Sequence, residues 1–124
     1  MEDASRKTPL AGHVLTGLVT LALLASAGGK LSGAEAVVEN LSASHLADFI
    51  MPIGVLELVV ALLFAIPKTS SLGTLLVTGY FGGAIVAHLA AQDPAGIAPA
   101  VVLGALAWVA NYLRNPSMFE SLKR

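Results

Sequence analysis

The stretch FIMPIGVLELVVALLFAI, from Phe49 to Ile66, decides the fold. Only Pro52 near its start and Glu57 near its middle interrupt the apolar run, and Pro67 closes it. A run of this length approaches the roughly 20 residues that a helix needs to cross about 30 Å of hydrocarbon. Three further runs have the same character: Leu10 to Gly29, Leu72 to Ala91 and Ile97 to Leu113. The first carries His13, the third Tyr80 and His88, and the fourth Trp108, Asn111 and Tyr112. Buried helices of a globular core are the rival reading, but four successive near-spanning runs leave too little polar face for it. Each span has to be helical, because an isolated strand leaves its backbone unsatisfied in lipid. The expectation is an all-α integral membrane four-helix bundle, one domain over residues 1–124.

Composition points the same way. Of 124 residues, 56% are hydrophobic and 12% charged, half the usual charged share, and the mean hydropathy is +0.79. A net charge of −1 offers no basic field for nucleic acid. With no cysteine, the chain carries no disulfide, thiolate metal site or thiol redox chemistry. Arg6 and Lys7 before an apolar run ending in Ala25-Ser26-Ala27 resemble a secretory signal with its cleavage site. The run exceeds the roughly 7 to 15 residues of such a signal, so a first span is the expectation.

Positive charge sets the orientation. With four crossings, Arg6, Lys7, Lys68, Arg114, Lys123 and Arg124 fall on one side, and Lys30 stands opposite with Glu35, Glu39, Asp48 and Asp93. The positive-inside rule then makes both termini cytoplasmic, in a bacterial-type inner or plasma membrane, with Tyr112 at the inner interface. Pro67 to Ser71 forms a short inner turn and Gln92 to Gly96 a short outer one, so neighbouring spans run antiparallel. The connection from Lys30 to Asp48 is longer. Ala34, Val37, Val38 and Leu41 recur at helical spacing there, with Glu35 and Glu39 off that face, which predicts a short amphipathic helix on the outer surface rather than a polar loop. Gly79, Gly83 and Ala87 form a small-xxx-small stripe, expected to pack against a neighbouring span, with Gly17 and Gly104 serving likewise elsewhere.

An ionisable group inside hydrocarbon costs at least about 2.5 kcal/mol at a helix centre and so needs a partner, a proton or a function. Glu57, about 12 Å below the outer end of its span, is the clearest case. Its carboxyl is either neutral, and then a donor or general acid, or held by a cation. Because alternate spans run in opposite directions, Lys30, Glu57 and His88 can share the outer half of one bundle, with Tyr80 as its floor. These four are the candidate catalytic residues of an acid/base cluster. The bland alternative has Lys30 snorkelling to the interface, His88 bonding a carbonyl and Glu57 bridging helices. His13, His45 and His88 are too scattered to make a metal site, and no haem, phosphate or dinucleotide motif stands out.

Several motifs taken together resemble the DoxX-like family. These are Gly29-Lys30-Leu31, Pro52-Ile53-Gly54-Val55-Leu56-Glu57, Pro67-Lys68-Thr69 before Leu72-Gly73, Gly79-Tyr80-Phe81-Gly82-Gly83-Ala84 leading to His88, and Tyr112-Leu113-Arg114-Asn115-Pro116. The resemblance runs from the first span to Pro116 and implies a compact four-helix membrane bundle. It also implies polar residues at Lys30, Glu57, Tyr80 and His88, and an association with quinol oxidation, thiosulfate oxidation or other membrane redox complexes. Ala27-Gly28-Gly29 departs from the bulkier residues expected before the lysine. The bundle is also similar to vitamin K epoxide reductase and emopamil-binding protein, though without cysteine only proton-transfer chemistry of the second kind applies.

Two functional readings follow. In one, the chain is an accessory subunit that binds a quinone or similar lipophile in the outer half of the bundle and docks a membrane oxidoreductase. In the other, it is a stand-alone, cofactor-independent enzyme that isomerises, cyclises or opens an epoxide of a lipophilic substrate, with Glu57 as principal acid and His88 as base. A packing protein is the third, duller possibility. Lipid and a lipophilic small molecule are the expected partners, and homo-oligomerisation stays open.

Overall fold

Pro52 shows how the Phe49 to Ile66 stretch is used. A computed structural model, covering the backbone of residues 2–123 and the side chains of residues 10–120, starts the second long helix at Ile50. Pro52 is then its third residue, where a backbone N–H has no partner within the helix, so proline is tolerated. The full order is α1 (Glu2–Leu31), α2 (Glu35–Ala43), α3 (Ile50–Ala65), α4 (Ser70–Ala90) and α5 (Ile97–Arg114). Short 3-10 turns stand at Ala47–Phe49, Pro67–Thr69, Pro94–Gly96 and Pro116–Lys123. The side chains of Arg6, Lys7, Lys123 and Arg124, which helped to orient the spans, lie outside the described residues.

Four helices, α1, α3, α4 and α5, are long and apolar enough to cross a membrane. Leu10, Leu21, Val86 and Leu89 are 59–67% exposed on their outer faces, which in a multi-pass membrane protein is the surface that meets lipid. Helix α1 packs along α3 and α5, and α4 packs along the same two, so the bundle closes in a ring of antiparallel neighbours. One end carries α2 and the turn at Pro94–Gly96; the other, terminal end carries the turn at Pro67–Thr69 and both chain ends.

Boundaries shift for local reasons. Helix α1 runs two residues past Gly29 and stops before Gly33, whose φ of +68° belongs to the left-handed region that ends helices. Ser70 and Ser71, expected in a turn, belong to α4, because the Thr69 hydroxyl donates to Leu63 O at 2.7 Å and folds the chain sharply after Pro67. The expected amphipathic helix is present as α2. Ala34 is its exposed N-cap, so the inward side consists of Val37, Val38 and Leu41, with Glu35 and Glu39 outside.

The core is thin and made largely of small residues: Ala61, Ala107 and Ala110 are fully buried beside Val19, Leu23, Phe64 and Val77. Bundles in lipid are held by this kind of close approach rather than by water exclusion. The stripe expected to do so does something else. A Cβ on Gly79 or Gly83 would meet nothing, because α4 turns these residues to an open cavity and not to a helix. Gly17 likewise touches no neighbour, and Gly104 makes only an ordinary contact with Phe81. The close approaches occur at Gly12 against Leu113, at Gly54 against Lys30 and Leu31, and at Gly73 against the Phe64 backbone.

Gly73 is the tightest of these, since the obstructing atoms are main chain and cannot rotate away. Overpacking of this kind costs about 1–3 kcal/mol. Gly73→Ala is expected to lower the melting temperature in detergent, whereas Gly82→Ala, whose Cβ meets nothing, should hold or raise it.

Candidate functional site

The site lies at the α2 end and is assembled from α1, α3 and α4. Lys30 stands in the last turn of α1, and Glu57 lies about 10 Å along α3 from Ile50 at 1.5 Å rise per residue. Gly54, one turn before Glu57, lets α3 approach the α1 backbone beside Lys30 closely, because a Cβ there would sit 3.0–3.1 Å from Leu31 and Lys30 atoms. The result is a buried ion pair. Lys30 Nζ donates to Glu57 Oε1 at 2.8 Å and to Ser26 Oγ at 2.6 Å. Lys30 is 9% exposed and Glu57 2%.

Lys30 therefore does not snorkel to the interface. Each charge is the partner that the other needs to be tolerated in hydrocarbon. Tyr80 on α4 completes the group: its ring centre is 6.0 Å from Lys30 Nζ, and its hydroxyl lies beside Glu57 and Ser26.

His88 is further out. It is two turns beyond Tyr80, and its Nδ1 stands 3.4 Å from Asp93 Oδ2 in the α4–α5 turn. Its ring rests on Gly96, where any Cβ would collide with it. Among the described residues no hydrogen bond joins His88 to Lys30, Glu57 or Tyr80, although all four line a small cavity of about 210 Å³ between α1, α4 and α5. His13 is exposed on α1, and His45 is exposed after α2 in a left-handed turn with φ +62°.

A second, larger cavity of about 610 Å³ opens on the other side of Lys30 and Tyr80. Its walls are Ile53 and Leu56 of α3, Val37 and Leu41 of α2, and the bare α4 surface at Gly79 and Gly83. Ser26, Lys30, Tyr80 and His88 border both cavities and form a polar partition between them. An apolar chamber with a few convergent polar groups is the usual form of a small-molecule site.

The sequence reading missed Ser26, Asp93 and Gly96. Ser26 had a signal, since it lies one helical turn before Lys30 on the same face. Asp93 and Gly96 had none, because their role depends on how the α4–α5 turn folds back over His88.

The model of the DoxX-like family matches residues 14–110, most of the chain and all of the polar partition. The chain belongs to the DoxX-like family. The match ends before Tyr112-Leu113-Arg114-Asn115-Pro116, the last of the motifs on which the resemblance of this DoxX-like chain was read. No curated protein and no solved structure matches it significantly.

Removing one partner of a buried pair leaves the other charge uncompensated, at a cost of about 3–5 kcal/mol. Lys30→Met should therefore destabilise the detergent-solubilised protein strongly, and adding Glu57→Gln should restore much of the loss. Additive losses in a double-mutant cycle of melting free energies would show that the two side chains do not interact.

Proposed function

We propose that this DoxX-like protein binds a quinone-like or other lipophilic small molecule in the larger cavity, as a non-catalytic subunit of a membrane redox system. The observation that carries the reading is Lys30, held from behind by Glu57 and Ser26, at the wall of a mostly apolar chamber. The pair is neutral overall, so a neutral ligand is favoured. It still presents a charged donor to a ligand oxygen, and charge-assisted hydrogen bonds are the stronger kind. The exposed α3 and α4 surfaces, such as Leu56 and Leu76, face lipid, from which a lipophile enters laterally. His88 and Asp93 at the turn offer a path for protons between the ligand and the surface at the α2 end. A membrane oxidoreductase partner would exchange the electrons.

The pair also sharpens the orientation. Lys30 was the one cation on the α2 end, and Glu57 neutralises it. The remaining described charges there are Glu35, Glu39, Asp48 and Asp93, all acidic, against Lys68, Arg114 and Glu120 at the terminal end. This supports cytoplasmic termini, with the site in the outer half of the bundle in a bacterial-type membrane.

Acid/base catalysis with Glu57 as principal acid is less well supported, because a carboxyl 2.8 Å from an ammonium is the charged, acceptor form. Decylubiquinone binding to purified protein separates the readings. Wild type should bind it, and the restabilised Lys30→Met/Glu57→Gln variant should bind at least tenfold more weakly; equal binding by both would overturn the proposal, as would turnover of a lipophilic substrate by the protein alone.

A further inference from the structure

The ion pair presents its two members differently to the two cavities. Lys30 borders both, whereas Glu57 borders only the small one of about 210 Å³. We propose that this small cavity is a second ligand site, which takes a compact neutral molecule with an apolar body and one hydroxyl group, the hydroxyl donating to the Glu57 carboxylate. The site is separate from the larger cavity and does not rest on what binds there.

The carboxylate sets the polar end. Glu57 is 2% exposed, and among the described residues Lys30 donates to its Oε1. An ionised carboxylate only accepts hydrogen bonds and has about four lone-pair positions. Even with the neighbouring Tyr80 hydroxyl counted as a second donor, about half of them stay open beside the cavity. A buried acceptor without a partner is costly, and an O–H donor to a carboxylate makes one of the stronger hydrogen bonds. A charge on the ligand works against binding: a cation meets the Lys30 ammonium, and an anion meets Glu57 itself.

The rest of the lining sets the body. Leu23 of α1, Phe81 of α4, and Ala100 and Leu103 of α5 supply apolar walls. Water satisfies Glu57, Tyr80 and His88 but finds no partner along these walls, and a buried water needs about two to four. An apolar cavity of about 150 Å³ holds benzene, so about 210 Å³ holds a six-membered ring with one substituent and is too small for a long-tailed quinone. Pro99, exposed on α5, borders the cavity and marks where it meets the surface.

Fluorine NMR of 4-fluorophenol and of 4-fluorotoluene, in which a methyl group replaces the hydroxyl, tests this on the full chain in lipid nanodiscs. Wild type should bind the phenol saturably and at least tenfold more tightly than the toluene. Ala22→Leu and Ala100→Leu each put bulk into the small cavity alone and should lose at least tenfold in phenol affinity. Gly83→Leu, which borders the larger cavity alone, should stay within twofold of wild type. Lys30→Met/Glu57→Leu replaces the pair by apolar side chains, an exchange that buried pairs tolerate, and should lose the preference for the phenol. Melting temperatures identify the folded variants. The comparison of probes on wild type, and Gly83→Leu, whose Cβ meets nothing, do not depend on the buried substitutions. The absence of saturable phenol binding to wild type would leave the cavity to water and overturn the proposal. Equal affinity for the two probes, or phenol affinity unchanged in a folded Ala22→Leu or Ala100→Leu variant, overturns it as well. So does a loss confined to Gly83→Leu, which would move the phenol to the larger cavity.

Discussion

The Lys30 ammonium and the Glu57 carboxylate meet at 2.8 Å in a part of the bundle where neither charge is tolerable alone. Much at the α2 end depends on that contact. It fixes the register of α1 against α3, because Lys30 sits in the last turn of one and Glu57 in the first half of the other. It also explains a glycine at position 54, one turn from the carboxylate, where any side chain would press on Lys30 and Leu31. A buried pair is weak evidence for stability in itself, since desolvation offsets the attraction. Its value here lies in position: it holds the Lys30 ammonium at the edge of an apolar chamber, with Glu57 behind it on the small cavity.

The two ends of the bundle are built on opposite principles. At the terminal end α3 and α4 close on each other through Gly73 and Phe64. There Arg114 crosses from α5 to donate to Phe64 O at 3.1 Å, satisfying a carbonyl in the last turn of α3, and its guanidinium stacks 4.9 Å from the Phe64 ring centre. Fully buried Asn111 donates to Ser71 Oγ and Met118 Sδ, and Trp108 Nε1 donates to Thr78 Oγ1 at 2.7 Å. Polar groups at this end are thus spent on holding helices together. At the α2 end Gly79 and Gly83 face open space, and α2, with no buried residue of its own, forms part of the cavity rim. One end is closed by helix-to-helix contacts, while the other keeps volume.

The fold was legible because lipid imposes simple rules. Run length, Pro52 and Pro67 at helix boundaries, and the spacing of Val37, Val38 and Leu41 each carry their meaning locally. The depth of Glu57 and Lys30 followed from counting residues along antiparallel spans, and the structure pairs them. Sequence does not reveal the rotation of each helix about its axis. That rotation turned the Gly79 and Gly83 stripe to a cavity instead of a neighbour, and gave close packing to Gly12, Gly54 and Gly73. It also leaves His88 in the same small cavity as the pair but bonded to neither, with Asp93 as its charged partner. A three-residue turn, Pro94–Gly96, sets that arrangement, and its geometry has no periodic signature.

The account stands on Glu57 being an ionised acceptor paired with Lys30, not a neutral acid. The infrared difference between wild type and Glu57→Gln, recorded in lipid at neutral pH, reads this directly. The account predicts that the substitution removes an antisymmetric carboxylate stretch and leaves the protonated-carboxyl region unchanged. Loss of a protonated carboxyl C=O band instead would show that Glu57 holds its proton, and would contradict the ion pair on which the site is built.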